Sequence, residues 1–297
     1  MSDVTQQEPL VSDVNRRQWL SVAAGGFALS VLPVAGAPVQ TSAEGLSVQD
    51  THVIAPDGVA VPVYVAKPAD AKSACPVVLV VSEIFGVHEH IRDVARRLAR
   101  EGYLAVAPDL FFRQGNPLLV EQIETLMSQI VRKVPDGQVM SDLRACHAQL
   151  GAWGGDPARV AVTGFCWGGS ITWLHASQGM SGLKAGVAWY GRLEGPVNEL
   201  QPEHPVQRVS RLSVPVLGLY GGEDAGIPLA SVERMKAAGA IPISRTNLPD
   251  LGLRVATESS LHGITRNPWN SSRTAGGSSG GEGSSLASGM SPIGLGN

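Results

Sequence analysis

The sequence predicts an α/β protein: a mainly parallel sheet with helices on both faces. Three observations carry this. Pro76–Val81 is an unbroken, β-branched apolar run, as expected of a strand buried on both faces. Strand-like and helix-like stretches alternate from Ser47 to about Ala238. Finally, Gly164-Phe165-Cys166-Trp167-Gly168-Gly169 stands where a strand gives way to a helix.

Thr51–Ile54 and Ala60–Ala66 read as a hairpin around Pro56-Asp57-Gly58. The buried strand Pro76–Val81 follows. His90–Arg100 carries apolar residues at Ile91, Val94, Ala95 and Leu98, a helical spacing that puts its arginines on the outer face. Tyr103–Ala107 is the next strand, ending at Pro108-Asp109. Val120–Val131 and Met140–Ala152 have helical period. Val160–Thr163 is a strand, Ser170–Ser177 a helix and Ala185–Tyr190 a strand. Val216–Tyr220 and Leu229–Ala238 complete the alternation as strand and helix. No internal repeat is visible.

Composition narrows the function. With 23 basic and 26 acidic residues the net charge is −3, which gives no electrostatic case for nucleic acid. Three scattered cysteines, Cys75, Cys146 and Cys166, suggest neither a disulfide framework nor a metal site, and no cofactor motif is present. Cys146 on an apolar helix face and Cys75 at a strand start read as core residues.

Cys166 reads differently. Gly-x-nucleophile-x-Gly at a strand-to-helix turn is a nucleophile elbow, in which the attacking side chain sits on strained backbone and small neighbours let strand and helix pass closely. The thiol then lies at a helix N-terminus, where the dipole is expected to favour thiolate. The N–H of Trp167 is aimed at the developing oxyanion.

Residues 46–237 resemble the dienelactone hydrolase family, a cysteine-using branch of the α/β-hydrolase fold. The carrying segments are Val81-Ser82-Glu83-Ile84-Phe85-Gly86-Val87, Ile91-Arg92-Asp93-Val94, Ala107-Pro108-Asp109-Leu110, Gly164 to Gly169, and Tyr220-Gly221-Gly222-Glu223-Asp224. The resemblance implies hydrolysis of a small, anionic lactone or ester by Cys166. It implies a resting hydrogen bond from the thiol to Glu83 and a second oxyanion donor at the N–H of Ile84. It also makes Arg113 the partner of a substrate carboxylate, a task that suits a bidentate guanidinium. Asp224, just after the strand Val216–Tyr220, is the expected triad acid.

The triad histidine belongs after that acid, and the only later histidine is His262. His88 and His90 follow the Glu83 loop but precede the acid. From Ala238 onward the chain resembles a second family, the amidase-signature hydrolases. Gly239 to Ile243, Arg245 to Pro249, Asn267-Pro268-Trp269-Asn270, Arg273 to Gly281 and Ser291 to Gly296 carry this resemblance. Ser278 matches its bridging serine. The nucleophilic serine it implies would fall just past Asn297, and its lysine is missing from the window 200–212.

These readings give three expected segments: a twin-arginine-type signal at 1–37, an α/β-hydrolase domain at 46–237 cut short before its last strand and helix, and an irregular, incomplete amidase piece at 238–297. The signal reading rests on Arg16-Arg17, the short apolar run Ser21–Val34 and Ala35-Gly36-Ala37. It implies the twin-arginine export machinery as a partner and a periplasmic destination. A monomer is expected. Without the histidine, general-base assistance of roughly 10²–10⁴-fold is at risk, so weak activity or none is expected. The alternatives are an amidase and a non-catalytic protein that binds a carboxylate ligand.

Overall fold

The computed structural model describes residues 40–221, 224, 226–237, 241–246, 258–259, 263–267 and 270–274. The candidate export signal, His262 and Ser278 lie outside them. No helix among the described residues is long and apolar enough to cross a membrane.

The chain opens with a hairpin, β1 (Leu46–Ile54) and β2 (Ala60–Pro68), paired antiparallel from Leu46↔Pro68 to Ile54↔Ala60. Gly58 takes φ +84 in its turn, a conformation that costs glycine little. Next come β3 (Cys75–Val81), α1 (Glu89–Arg100), β4 (Leu104–Pro108), α2 (Ile123–Gln129) and α3 (Asp136–Gln149). The second half runs β5 (Gly155–Phe165), α4 (Trp167–Ala176), β6 (Leu183–Trp189), α5 (Pro205–Arg208), β7 (Val216–Gly221), α6 (Leu229–Ala237) and β8 (Ile241–Thr246). These strands form one eight-stranded sheet in the order β1-β2-β4-β3-β5-β6-β7-β8. Every pair from β4 to β8 is parallel, and only the hairpin and its junction with β4 are antiparallel.

β3 shows why its sequence reads as a continuous apolar run. Val77, Leu79 and Val81 enter one core with Val160, Val162, Leu143, Cys146 and Ile171, whereas Val78 and Val80 enter another with Ile91, Val94 and Ala95. Successive side chains of a strand point to opposite faces, so a sheet covered on both faces needs apolar residues at every position. The α1 helix covers one face, and α3 with the inner side of α4 covers the other. Cys75 and Cys146 are buried in the core as expected.

Three local outcomes differ from the sequence reading. Arg96 does not lie on an outer face: it is 8% exposed and bonds to the Tyr64 hydroxyl and the carboxylates of Glu89 and Asp93, so charge pairing outweighs the cost of burying a guanidinium. Helix α3 begins at Asp136, straight after Pro135, because proline supplies a fixed extended entry to a helix. The α4 helix starts at Trp167, not near Ser170, so the residue after the thiol already belongs to its first turn.

The junction near Ala238 does not end the sheet. β8, from the segment that resembles an amidase, pairs in parallel with β7 from Leu217↔Ile241 to Gly221↔Thr246. Beyond it, the described residues form two short antiparallel ladders, Glu258–Ser259 with Gly263–Ile264 and Arg266–Asn267 with Asn270–Thr274.

Candidate active site

Cys166 joins β5 to α4 with φ 52 and ψ −115, a backbone conformation that non-glycine residues adopt only where the surroundings impose it. The neighbouring glycines impose it. A methyl group added at Gly164 would sit 2.1 Å from the Gly168 carbonyl oxygen, and one at Gly168 would sit 2.4 Å from the Val81 carbonyl oxygen. One at Gly169 would meet the Trp189 carbonyl oxygen at 2.5 Å. The start of α4 is therefore wedged backbone to backbone between the ends of β3 and β6. The Cys166 N–H donates to the Trp189 carbonyl at 3.0 Å, which ties the elbow to β6.

The thiol is not poised as thiolate. Loss of hydration and the negative charge of Glu83 push its pKa up to about 11. The Trp167 N–H and the Arg192 guanidinium pull the other way, and Asp224 adds to the upward push. The helix terminus led to an expectation of thiolate, and the Trp167 N–H, read from sequence only as an oxyanion donor, does lower the thiol pKa. The expectation fails on balance because desolvation and two carboxylates outweigh one N–H dipole and an exposed cation.

Glu83 follows β3 and is 5% exposed. The Cys166–Glu83 hydrogen bond expected from sequence is replaced by another: Glu83 Oε2 lies 3.2 Å from His88 Nε2. A carboxylate oxygen accepts, so Nε2 carries the proton. Ile84 is half-buried in the turn that follows Glu83, which closes with a Gly86 N–H to Glu83 carbonyl bond of 3.4 Å. Tyr190 completes this side of the site. It has φ 38, its N–H donates to the Leu219 carbonyl at 2.8 Å, and burial with the charges of Glu83 and Cys166 drives its phenol pKa well up. Sequence reasoning missed Tyr190; its place at the carboxyl end of β6, one residue before Gly191, was the available signal.

Asp224, the acid expected from sequence, is half-buried beyond β7, and its charge is felt at the Cys166 sulfur. Its Oδ1 accepts the Gly226 N–H at 2.8 Å. Arg113, by contrast, is not open to a substrate. It donates two bonds to Asp142, at 2.6 and 2.9 Å, and two to Asp57, at 3.0 and 3.1 Å. Asp142 is 0% exposed, so the guanidinium is spent on neutralising a buried carboxylate. The tip of the β1–β2 hairpin, the loop after β4 and α3 are thereby clamped together. Among the described residues no group of three or more His, Cys, Asp or Glu could hold a metal ion.

Comparison with known proteins gives the family. The family model "Dienelactone hydrolase family" matches residues 61–240, and the model "Amidase" matches residues 227–297. A Methylorubrum extorquens protein provisionally named carboxymethylenebutenolidase is 52% identical over 217 residues, covering 72% of this chain and 74% of that protein. A Salmonella typhimurium protein of the same provisional name is 50% identical over 213 residues, with coverages of 72% and 78%. A Klebsiella pneumoniae crystal structure, provisionally described as a dienelactone hydrolase, superposes with a TM-score of 0.63 at 50% identity, covering 65% of this chain and 80% of that one. The strained cysteine at the β5–α4 elbow and the acid beyond β7 thus sit in a chain that belongs to the dienelactone hydrolase family.

Proposed function

We propose that this chain hydrolyses a small lactone or ester through Cys166. The observation that carries the reading is the strained elbow, which holds a thiol at the carboxyl edge of a parallel sheet with Glu83, Tyr190 and Asp224 around it. In this reaction the sulfur attacks the carbonyl carbon, and the N–H groups of Trp167 and Ile84 receive the oxyanion. Water then releases the acyl group. The provisional name of the curated relatives, carboxymethylenebutenolidase, supports a lactone as the substrate class.

Two features argue for a slow enzyme. A thiol with a pKa near 11 holds little thiolate at neutral pH. His262 is also the only histidine after Asp224, and it falls within the amidase match. Export by the twin-arginine route to the periplasm belongs to the same proposal and rests on Arg16-Arg17 and the apolar run after them.

The test is hydrolysis of p-nitrophenyl acetate and of a five-membered unsaturated lactone acid by the full chain and its Cys166→Ala variant. Slow turnover that disappears in the variant is expected. Turnover that survives Cys166→Ala would remove the thiol from the mechanism. An equal rate on amide substrates, lost in Ser278→Ala, would move the chemistry to the amidase-like segment.

A further inference from the structure

The imidazole of His88 has no assigned task in the proposed reaction, yet it is the hydrogen-bond partner of the carboxylate beside the thiol. Both side chains are nearly enclosed, at 10% exposure for His88 and 7% for Glu83. A carboxylate so placed needs a hydrogen-bond donor. His88 stands at the position preceding α1 and its ring makes no capping bond to that helix. Its backbone N–H donates to the Gly86 carbonyl at 2.9 Å, which fixes the loop so that the ring turns back five residues to Glu83. Neighbouring rings then fix its plane: His90 stacks at 6.0 Å between centroids, and Phe85 meets it edge-on at 6.4 Å. Cys166 from the elbow and Tyr190 from the end of β6 both feel the Glu83 charge.

We propose that His88 is a positioning residue for the Cys166 reaction, holding Glu83 where it can take the thiol proton. The inference rests on Cys166 being the nucleophile. The His88 Nε2–H engages Oε2, so the thiol proton is assigned to the other carboxylate oxygen, Oε1, which that bond leaves free. As the sulfur lone pair forms the S–C bond, the S–H bond breaks and an O–H bond forms on Glu83. The carbonyl π pair moves to the oxyanion. Collapse of that intermediate expels the alkoxide, which takes the proton back from Glu83. In the second half, attacking water gives a proton to Glu83, and the departing thiolate retrieves it. No oxidant, metal or further base enters, so within the described residues the pair does the work that chain order would assign to a histidine after Asp224.

The full chain is compared with His88→Leu, His88→Gln, Glu83→Gln and the His88→Leu/Glu83→Gln double variant. Two rates are read: pre-steady-state acylation by p-nitrophenyl acetate, and iodoacetamide labelling of Cys166 followed by peptide mass. His88→Leu is expected to slow both by about tenfold, the scale of one lost hydrogen bond to a charged group. His88→Gln, whose amide can still donate to Glu83, restores most of each rate. In the Glu83→Gln background, His88→Leu adds nothing, because the two residues act as one unit. Unchanged rates in His88→Leu overturn the proposal, as does failure of glutamine to rescue a folded variant or full additivity with Glu83→Gln. A variant that unfolds is recognised by its circular dichroism, and the glutamine variant then decides. Loss of Cys166 dependence in acetate hydrolysis is a different failure: it removes the nucleophile, while the labelling rate still reports on His88.

Discussion

His175 offers the sharpest quantitative test of the packing behind the elbow. It lies on α4, nine residues after the nucleophile, is 0% exposed, and neither ring nitrogen has a hydrogen-bond partner. Burial, reinforced by His147 and Arg144, lowers its pKa from 6.5 to about 4. The imidazole therefore stays neutral in the folded chain while the unfolded chain takes up a proton. A group depressed in the folded state lends stability above its unfolded pKa, and that stability is lost as pH falls toward the folded value. A gap of about 2.5 pH units corresponds to ~3 kcal/mol in full, of which ~2 kcal/mol is lost between pH 7 and pH 5. The perturbation is His175→Leu, of similar volume and without a titrating group. Urea unfolding followed by tryptophan fluorescence at pH 7, 6 and 5 gives the stability difference between variant and parent. That difference should move in favour of leucine by about 2 kcal/mol on going to pH 5. Parallel pH profiles for the two proteins would refute the reasoning, and so would a difference that moves toward histidine on acidification.

Other expectations follow from single contacts. Arg113→Met strands the buried Asp142 carboxylate and should cost about 3–5 kcal/mol in urea unfolding, much of it recovered in Arg113→Met/Asp142→Leu. The same substitution should leave the discrimination between anionic and neutral esters unchanged, since the guanidinium is already occupied; a selective loss on anionic esters would restore the carboxylate-binding role read from sequence. Asp136, raised to about 6 by burial, carries a charge that the folded state resists, so Asp136→Asn should raise the melting temperature at pH 7. That advantage should vanish below about pH 4, where both folded and unfolded aspartates are protonated. Gly191→Ala would place a methyl group 2.3 Å from the Gly169 carbonyl carbon and the Ser170 nitrogen, so about 1–3 kcal/mol of destabilisation and slower Cys166 labelling are expected from calorimetry and alkylation.

The sequence was most informative where one residue type answers one local demand. Val77–Val81 had to be a doubly covered strand because no polar position interrupts it, and Cys166 had to be an elbow because glycines at 164, 168 and 169 make sense only where backbones touch. What stayed hidden depends on which distant side chains arrive at one place. Arg113 finds Asp57 and Asp142 across separations of 56 and 29 residues, and no spacing rule announces such a meeting. The Glu83–His88 bond is only five residues long in sequence, but it needs the ring to turn away from the helix it precedes. The thiol pKa is a balance of opposing influences, so recognising one favourable contributor could not give its sign. Arg96 was misplaced for a related reason, since helical period places a residue on a face but does not show which neighbours will cover it.

The parallel pairing of β8 with β7 has a consequence for engineering this chain. Parallel strands all finish at the same rim, so the backbone leaves β8 at Thr246 on the side of the sheet where Cys166 and Asp224 stand. The segment after the junction therefore ends its strand at the rim that carries the site. Thr246 is thus a natural graft point: a segment spliced there would start from the rim of the sheet that carries the thiol.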